Sequence, residues 1–530
     1  MTIKKIIVVG GGAMGMFASS AIKKNCPDID VTVVHDPNTP YIGVGESIGW
    51  NGQDFMKQMF GLEESQWLKK SQSTYKLGIA HYGFDNTDRP HFNIHKWNPS
   101  AKVATISITG VHRDNQLTNA KRRAGWPALG DAADNITLAD AWLHLYHKGF
   151  RTQDTLDGDL GELYWYCKYN TFPSKENYSH QRVTHSYHFN AEYIKDVIHE
   201  LVGIPSRVKV IEGKVDQVIT DGQKITHIKV NDTLLSADLF VDCTGFRRLL
   251  ATNIGCKWIT LPDYFNNSAL VGQSVNNDNN KSPITSYTEH HAMDHGWLFS
   301  IPMPTRAGNG YVFNSARTAD VDLIQHEFNT KFSFKANAIA RLINWKPGYI
   351  KNTFVGNCVI MGVGSMFVDP YDANNFSTQM SMLQKFVTLL LQDRDYHTWS
   401  DQYNRYVNGI ADDSIFRIET GMFLAPKQDT QYWKDNHQIG IKLRLREKLN
   451  DVIMDGRRRF LRKEQDLFWF QGAHLAQAAY YQLDLPKPNI KMTVEDEQLA
   501  LNFFKFFNEK NRIQASCAQP VKDFYKQLYI

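Results

Sequence analysis

Apolar and polar positions along this chain divide it into elements before any single residue is interpreted. A short apolar run, Lys5–Val9, leads into glycines, and the helical spacing that follows predicts a helix over Met16–Lys24. Val31–Val34 reads as a second strand, so the chain opens as strand, helix, strand. Asn190 has the side chain of an N-cap for a helix over Ala191–Val202. Three β-rich runs follow, Val208–Glu212, Val215–Thr220 and Lys224–Val230, and the Asp221-Gly222 turn makes the last two a meander. Asp238–Asp242 is an apolar strand ending in Cys243-Thr244-Gly245. Alternation from about 260 to 350, including Trp297–Pro302, predicts a separate sheet forming one wall of a cleft. Cys358–Val363 is a further buried strand, followed by a segment around Asp369-Pro370 and a helix over Thr378–Leu391. Beyond about 395 the pattern is helical, aromatic and charged, and Arg457, Arg458, Arg459, Arg462 and Lys463 read as a solvated helix face. Internal repeats and low-complexity linkers are not seen.

Composition narrows the class. The 530 residues suffice for one large domain or two to three interlocked ones. A net charge of +4 is small for this length and does not point to nucleic acid or a membrane surface. The six cysteines are scattered with no Cys-x-x-Cys pair, which disfavours a zinc site or disulfide framework and fits a reducing compartment. The start, Met-Thr-Ile-Lys-Lys, runs directly into a strand and leaves no room for a signal peptide, and no apolar run is long enough to span a bilayer. A cytoplasmic location is expected. The 12 Trp, 23 Tyr and 30 Phe are mostly accounted for by a well-filled core; an aromatic pocket for a planar ligand requires placement as well as number.

Gly10-x-Gly12-x-x-Gly15 lies between the first strand and helix, and each glycine has a mechanical reason there. The first permits the tight turn, the second lets backbone approach a pyrophosphate, and the third lets helix and strand pack closely. The ribose-binding acid expected about 20 residues later falls on Asp36, with His35 a near alternative. FAD is favoured over NAD because the meander and the Thr244-Gly245 strand end extend the site across noncontiguous segments. Asp242 and Gly245 also have a plain reading as turn residues.

Several segments resemble the flavin-dependent halogenases of the tryptophan-halogenase type, over residues 1 to about 395. Gly43-Val44-Gly45-Glu46-Ser47 is similar to that family's Gly-Val-Gly-Glu-Ala flavin strap. Ser73-Thr74-Tyr75-Lys76-Leu77-Gly78-Ile79 resembles the segment bearing its catalytic lysine, which falls on Lys76. Tyr187-His188-Phe189-Asn190-Ala191 is similar to its Tyr-His-Phe-Asp-Ala, and Asp242-Cys243-Thr244-Gly245-Phe246-Arg247 to its Asp-Cys-Ser-Gly-Met-Arg. Its Gly-Trp-x-Trp-x-Ile-Pro becomes Gly296-Trp297-Leu298-Phe299-Ser300-Ile301-Pro302, with Phe for the second Trp. Its Glu-Pro-Leu-Glu-Ser-Thr-Gly becomes Asp369-Pro370-Tyr371-Asp372-Ala373-Asn374-Asn375. The catalytic glutamate thus falls on Asp372, shorter by one methylene or about 1.5 Å of reach. The halide-binding pair falls on Asn374 and Asn375, where backbone N–H groups still offer an anion cradle. These departures mark a divergent member and leave the size of the halide pocket open.

The resemblance implies an α/β fold. A Rossmann-type FAD-binding domain of the flavin monooxygenase/glutathione-reductase type is expected over 1–100, 190–260 and 350–395. Substrate-side insertions including a sheet wall then occupy 100–190 and 260–350, and 395–530 is mainly helical. The implied FAD contacts are Gly10, Gly12, Ala13, Met14, Gly15, Asp36, Gly43, Val44, Gly45, Glu46, Ser47, Val215, Gly245 and Gly362. Reduced FAD and dioxygen would oxidise chloride, bromide or iodide to hypohalous acid; Lys76 would deliver it and Asp372 would orient it or take the arene proton. Trp297 and Phe299 would stand between flavin and substrate, and His91 and Phe92 would stack on the substrate. Reduced FAD is expected from a separate reductase or by diffusion, the substrate is an aromatic or electron-rich small molecule, and a homo-oligomer is left open. Two other readings compete: a flavin monooxygenase inserting oxygen into an arene, and a non-catalytic binding protein on the same fold. Taken singly, Lys76 reads as a solvated lysine, Asp372 as a helix cap and His91 as a surface histidine.

Overall fold

The computed structural model describes residues 2–39, 46–48, 52–85, 90–94, 138–161, 163–173, 185–275, 284–318, 320–332, 341–461 and 471–529. They form two compact units. One comprises Met1–Tyr75, Ser186–Ser282 and His295–Ile418; the other comprises Lys76–His185, Pro283–Asp294 and Glu419–Ile530.

The first unit is built on a six-stranded sheet in the order Phe354–Val355, Cys358–Ile360, Leu239–Asp242, Lys5–Val9, Asp30–His35, Lys209–Glu212. All pairings are parallel except the first, which is a tight hairpin. Parallel strands are covered on both faces, which is why Ile6–Val9 and Leu239–Asp242 are continuously buried instead of alternating. The expected meander forms over Val215–Asp221, Lys224–Val230 and Thr233–Leu235. Its apolar side, with Val215, Ile225 and Ile228, shares one core with Ile7, Val34, Phe240 and Leu250. A four-stranded antiparallel wall, Arg341–Asn344, Ser268–Val275, Arg306–Phe313 and Gly296–Pro302, accounts for the alternation read between 260 and 350.

Two helices begin earlier than their apolar periodicity predicts. The first spans Ala13–Asn25 and the later one Asn374–Gln392, because glycines and polar residues at a helix start carry no periodic signal. The helix after Asn190 covers Ala191–Ile198 and continues as a π-turn over His199–Gly203.

In the second unit Gly78–Tyr82 pairs in parallel with Tyr287–Met293 and antiparallel with His91–Ile94. The rest is mainly helical, including Leu138–His147, Gln431–Lys442, Leu445–Leu461, Gln471–Tyr480 and Val494–Ser516. The last of these is started by a full capping box between Thr493 and Asp496. Helix Leu445–Leu461 contains Arg457–Arg459 in its backbone, whereas Arg462 and Lys463 lie outside the described residues. All six cysteine thiols are free. No helix among the described residues is long and apolar enough to cross a membrane.

Candidate active site

Three turns from distant parts of the sequence meet at the carboxyl end of the six-stranded sheet. Gly10 has φ +111, and a Cβ there would stand 2.3 Å from the carbonyl oxygen of Cys243. Gly15 is packed harder still, since a Cβ would lie 1.8 Å from the Gly10 carbonyl oxygen. Met14 sits over Gly362 (φ +76), and a Cβ on Gly364 would meet the Gly245 carbonyl oxygen at 2.8 Å. Gly12 differs, because a Cβ there would meet nothing within 4 Å. Gly12 is the N-cap of helix Ala13–Asn25, with no side-chain cap and no acidic residue in the first turn. The N–H groups and positive dipole end of Ala13 and Met14 are therefore presented to an open space.

Asp36 follows the second strand and is half-buried; the Asn38 N–H is the main cause that holds its carboxyl below the usual range, with Thr39 adding to it. His35 packs its ring against Gly11. Val215 is buried at the start of the meander and Gly245 has φ +64. Gly43, Val44 and Gly45 lie outside the described residues. Glu46 and Ser47 pair antiparallel with Phe189 and His188, and the buried Ser47 Oγ has no hydrogen-bond partner among the described residues. An uncapped helix start, an open glycine and an orphaned hydroxyl fit a dinucleotide with hydrogen-bonding groups beyond its pyrophosphate.

The acidic segment enters its helix differently. Asp369 accepts from Asn266 Nδ2 and from the Tyr371 N–H, at 2.9 Å each. Burial pushes its carboxyl up to about 6, and these donors with the Trp297 side chain pull the other way. Trp345 Nε1 donates to the Val368 carbonyl and anchors the approach. Asp372 lies in a short 3-10 turn at φ 59, ψ 21, a left-handed conformation uncommon outside glycine. Its carboxylate Oδ2 receives both Arg417 Nε and Nη2 at 2.7 Å, and both side chains are essentially without solvent exposure. Asp372 is thus bound into a buried ion pair. Asn374 and Asn375 form the first turn of helix Asn374–Gln392, which holds no acidic residue. The buried Asn375 Oδ1 has no hydrogen-bond partner among the described residues, and a half-turn of that amide presents its N–H2 at the same point.

One strand of the antiparallel wall touches both this segment and the lysine segment. Trp297, fully buried, packs edge-to-face on Tyr371 with ring centroids 5.6 Å apart, and lies tilted against Phe299 at 5.9 Å. At the other end of the strand the Pro302 carbonyl accepts from Thr74 Oγ1 at 2.8 Å. Thr74 begins the short strand Thr74–Lys76, and Lys76 is 1 % exposed, so it is not a solvated lysine. His91 and Phe92 are buried in the second unit, but successive strand residues face opposite ways. His91 stacks on Tyr480 at 4.6 Å and reaches Asp157, whereas Phe92 contacts Tyr164 and Tyr287. The two rings do not form one wall.

Residues 5–481 match the family described as tryptophan halogenase. The chain belongs to the tryptophan halogenase family. The tryptophan 7-halogenase RebH of Lentzea aerocolonigenes is 25% identical over 457 residues, covering 84% of this chain and 81% of that protein. The tryptophan 6-halogenase ThaL of Streptomyces albogriseolus is 25% identical over 464 residues, covering 86% and 81%. Among solved structures, Xcc4156, a flavin-dependent halogenase from Xanthomonas campestris, aligns with a TM-score of 0.79 at 20% identity, over 99% of this chain and 98% of its own. This halogenase is an FADH2-dependent oxidoreductase that uses halide and dioxygen. Such enzymes generally draw reduced flavin from a separate reductase and act on an aromatic substrate.

Sequence reasoning missed Arg417, Thr74 and His188. Arg417 had a faint signal: an arginine between Phe416 and Ile418 on a helix, three residues from both Ser414 and Thr420. That polar stripe is buried, at 1% for Ser414 and Arg417 and 0% for Thr420, where a polar helix face is ordinarily solvated.

Proposed function

We propose that this halogenase attaches a halogen to an electron-rich aromatic small molecule, with Lys76 delivering hypohalous acid and Asp372, paired to Arg417, fixing its orientation. The observation that carries this reading is the Gly296–Pro302 strand, which meets Tyr371 beside Asp372 at one end and Thr74 of the lysine strand at the other. Reduced FAD would be held by Gly10, Gly12, Ala13, Met14, Gly15, Asp36, Ser47, Gly245 and Gly362, and with dioxygen it would supply the two-electron oxidation of halide to hypohalous acid, itself ending as FAD with the second oxygen as water. The helix start at Asn374 and Asn375 binds the halide through backbone N–H groups. A carboxylate so near an anion site would repel the halide, and the Arg417 guanidinium offsets it. The buried Lys76 ammonium donates a hydrogen bond to the hypohalous acid and polarises its oxygen–halogen bond. The arene carbon takes the halogen, the arene proton is lost to a base, and the hypohalous oxygen leaves as water. Asp372 serves better as a fixed charge than as that base, because its Oδ2 is already engaged by two guanidinium donors. Trp297 and Phe299 keep the arene from the flavin, so halogenation replaces oxygen insertion.

Bromide or iodide is used better than chloride, since the heavier halides are more easily oxidised and the altered pair Asn374-Asn375 replaces Thr-Gly. Mass spectrometry of a halide-by-substrate panel, run with reduced FAD, tests both parts. Products should carry halogen only when halide is added, with bromide or iodide exceeding chloride in competition. Oxygenated products without halide would return the monooxygenase reading. Lys76→Ala should abolish halogenated product while reduced-flavin oxidation continues; loss of both would contradict the division of roles.

A further inference from the structure

We infer that Thr74 is a positioning residue for Lys76, acting through a single hydroxyl that joins His188 to the Pro302 carbonyl. Thr74 is fully buried, and its Oγ1 lies 2.8 Å from the Pro302 carbonyl oxygen and 3.0 Å from His188 Nδ1. The carbonyl can only accept, so the one hydroxyl hydrogen points to Pro302. His188 Nδ1 must then be the donor, which fixes the proton of a neutral His188 ring on Nδ1.

The hydroxyl therefore ties together segments that are far apart in sequence. His188 is paired in register with Ser47 of the strap, and Pro302 ends the strand that begins with Gly296 and Trp297. The neighbouring residues hold the same strand from its other side. Tyr75 OH and Tyr187 OH both donate to the Glu64 carboxylate, and Ser73 Oγ pairs with Ser71 Oγ at 2.5 Å. Strand alternation puts Lys76 on the face of Thr74, not of Tyr75. The Thr74 tether thus sets the tilt of the face that presents the ammonium, while the Tyr75–Glu64 contact prevents rolling about the strand axis. An extended strand offers no rigidity of its own over three residues, so the aim of Lys76 depends on these side-chain anchors.

This inference rests on the reading of Lys76 as the group that delivers the oxidant. Thr74→Val keeps the shape and removes the hydroxyl. It should lower kcat for halogenated product by about tenfold to a hundredfold, the scale of an ångström-level misplacement. KM for the aromatic substrate and the rate of reduced-flavin oxidation should stay unchanged, and free hypohalous acid captured by a dissolved chromogenic trap should rise. Thr74→Ser restores the hydroxyl and should return kcat to near wild type. Wild-type kcat in Thr74→Val, or a loss that Thr74→Ser does not restore, overturns the inference. Should Thr74→Val not be recovered folded, His188→Leu removes the donor on the other side of the hydroxyl and is judged by the same ratios. Lys76→Ala run alongside separates the two ideas. If it keeps halogenating, the reading of Lys76 fails; if it is dead while Thr74→Val is normal, only the positioning role fails.

Discussion

The turn at Gly10–Gly15 and the segment Asp369–Asn375 do similar things with opposite materials. Each leads into a long helix whose first turn carries no acidic residue, and the proposed function gives each an anion to hold. The first is made of backbone: Gly10, Gly15 and Gly364 are small because carbonyl oxygens of Cys243, Gly10 and Gly245 occupy the space a Cβ would need. The second is made of side chains, with Asp369 bound to Asn266, Tyr371 against Trp297, and Asp372 bound to Arg417. A backbone cradle tolerates almost no change inside it and is indifferent to residues elsewhere. A side-chain cradle depends instead on partners far away in the sequence, Arg417 above all.

The largest effect should come from breaking the backbone cradle. Gly15→Val places branched carbon where a Cβ already lies 1.8 Å from the Gly10 carbonyl oxygen, so the strand and helix cannot close. Little folded, flavin-loaded protein should be recovered, measured by the flavin absorbance that coelutes with the chain. Normal recovery would mean that the turn is softer than its contacts imply.

The side-chain cradle should fail through its partner. Arg417→Met takes both guanidinium donors away from the buried Asp372 carboxylate, at a cost of about 3–5 kcal/mol in chemical denaturation. Asp372→Asn combined with Arg417→Met should recover most of that stability without recovering halogenation. A single-variant loss below about 1 kcal/mol would show that the pair is solvated in practice.

That asymmetry also explains what the sequence made legible. Gly10, Gly12 and Gly15 announce themselves because a local turn needs all three within one short stretch, and the whole requirement lies in six letters. The meander and the wall were readable from turn chemistry and alternation, both local properties. Arg417 was not, because its partner is 45 residues away and a polar helix stripe carries no mark of whether water or a carboxylate faces it. Thr74 was quoted only as a neighbour of Lys76, since nothing in a threonine shows that its hydroxyl will reach Pro302. His91 and Phe92 were grouped by adjacency, and strand alternation separates them.

A third test sharpens the acidic segment itself. Burial raises the Asp369 carboxyl from 3.8 to about 6, so in that interval the folded chain holds a proton the unfolded chain has lost. The contribution of this group to stability is therefore greatest below pH 3.8, falls as pH rises to about 6, and is constant above. Its full size is about 3 kcal/mol. Asp369→Asn should remove this part of the slope between pH 4 and 6 in a series of denaturation midpoints. Identical slopes in both proteins would place the titration elsewhere.

The smallest structural effect should identify the glycine that serves the ligand. Gly12 has extended backbone angles, φ −71 and ψ −178, which any residue can adopt, and a Cβ there meets no protein atom within 4 Å. Nothing in the folding of this chain demands glycine at that position, so Gly12→Ala should leave the denaturation midpoint unchanged. Close approach of a pyrophosphate does demand it, because a methyl group on the cradle's rim holds the phosphate oxygens away from the N–H groups of Ala13 and Met14. FAD affinity, measured by titration of the unloaded protein, should weaken about tenfold, equivalent to about 1.4 kcal/mol. Unchanged affinity together with an unchanged midpoint would move the pyrophosphate away from this turn. A lowered midpoint without flavin would instead class Gly12 with Gly15, as a glycine required by packing alone.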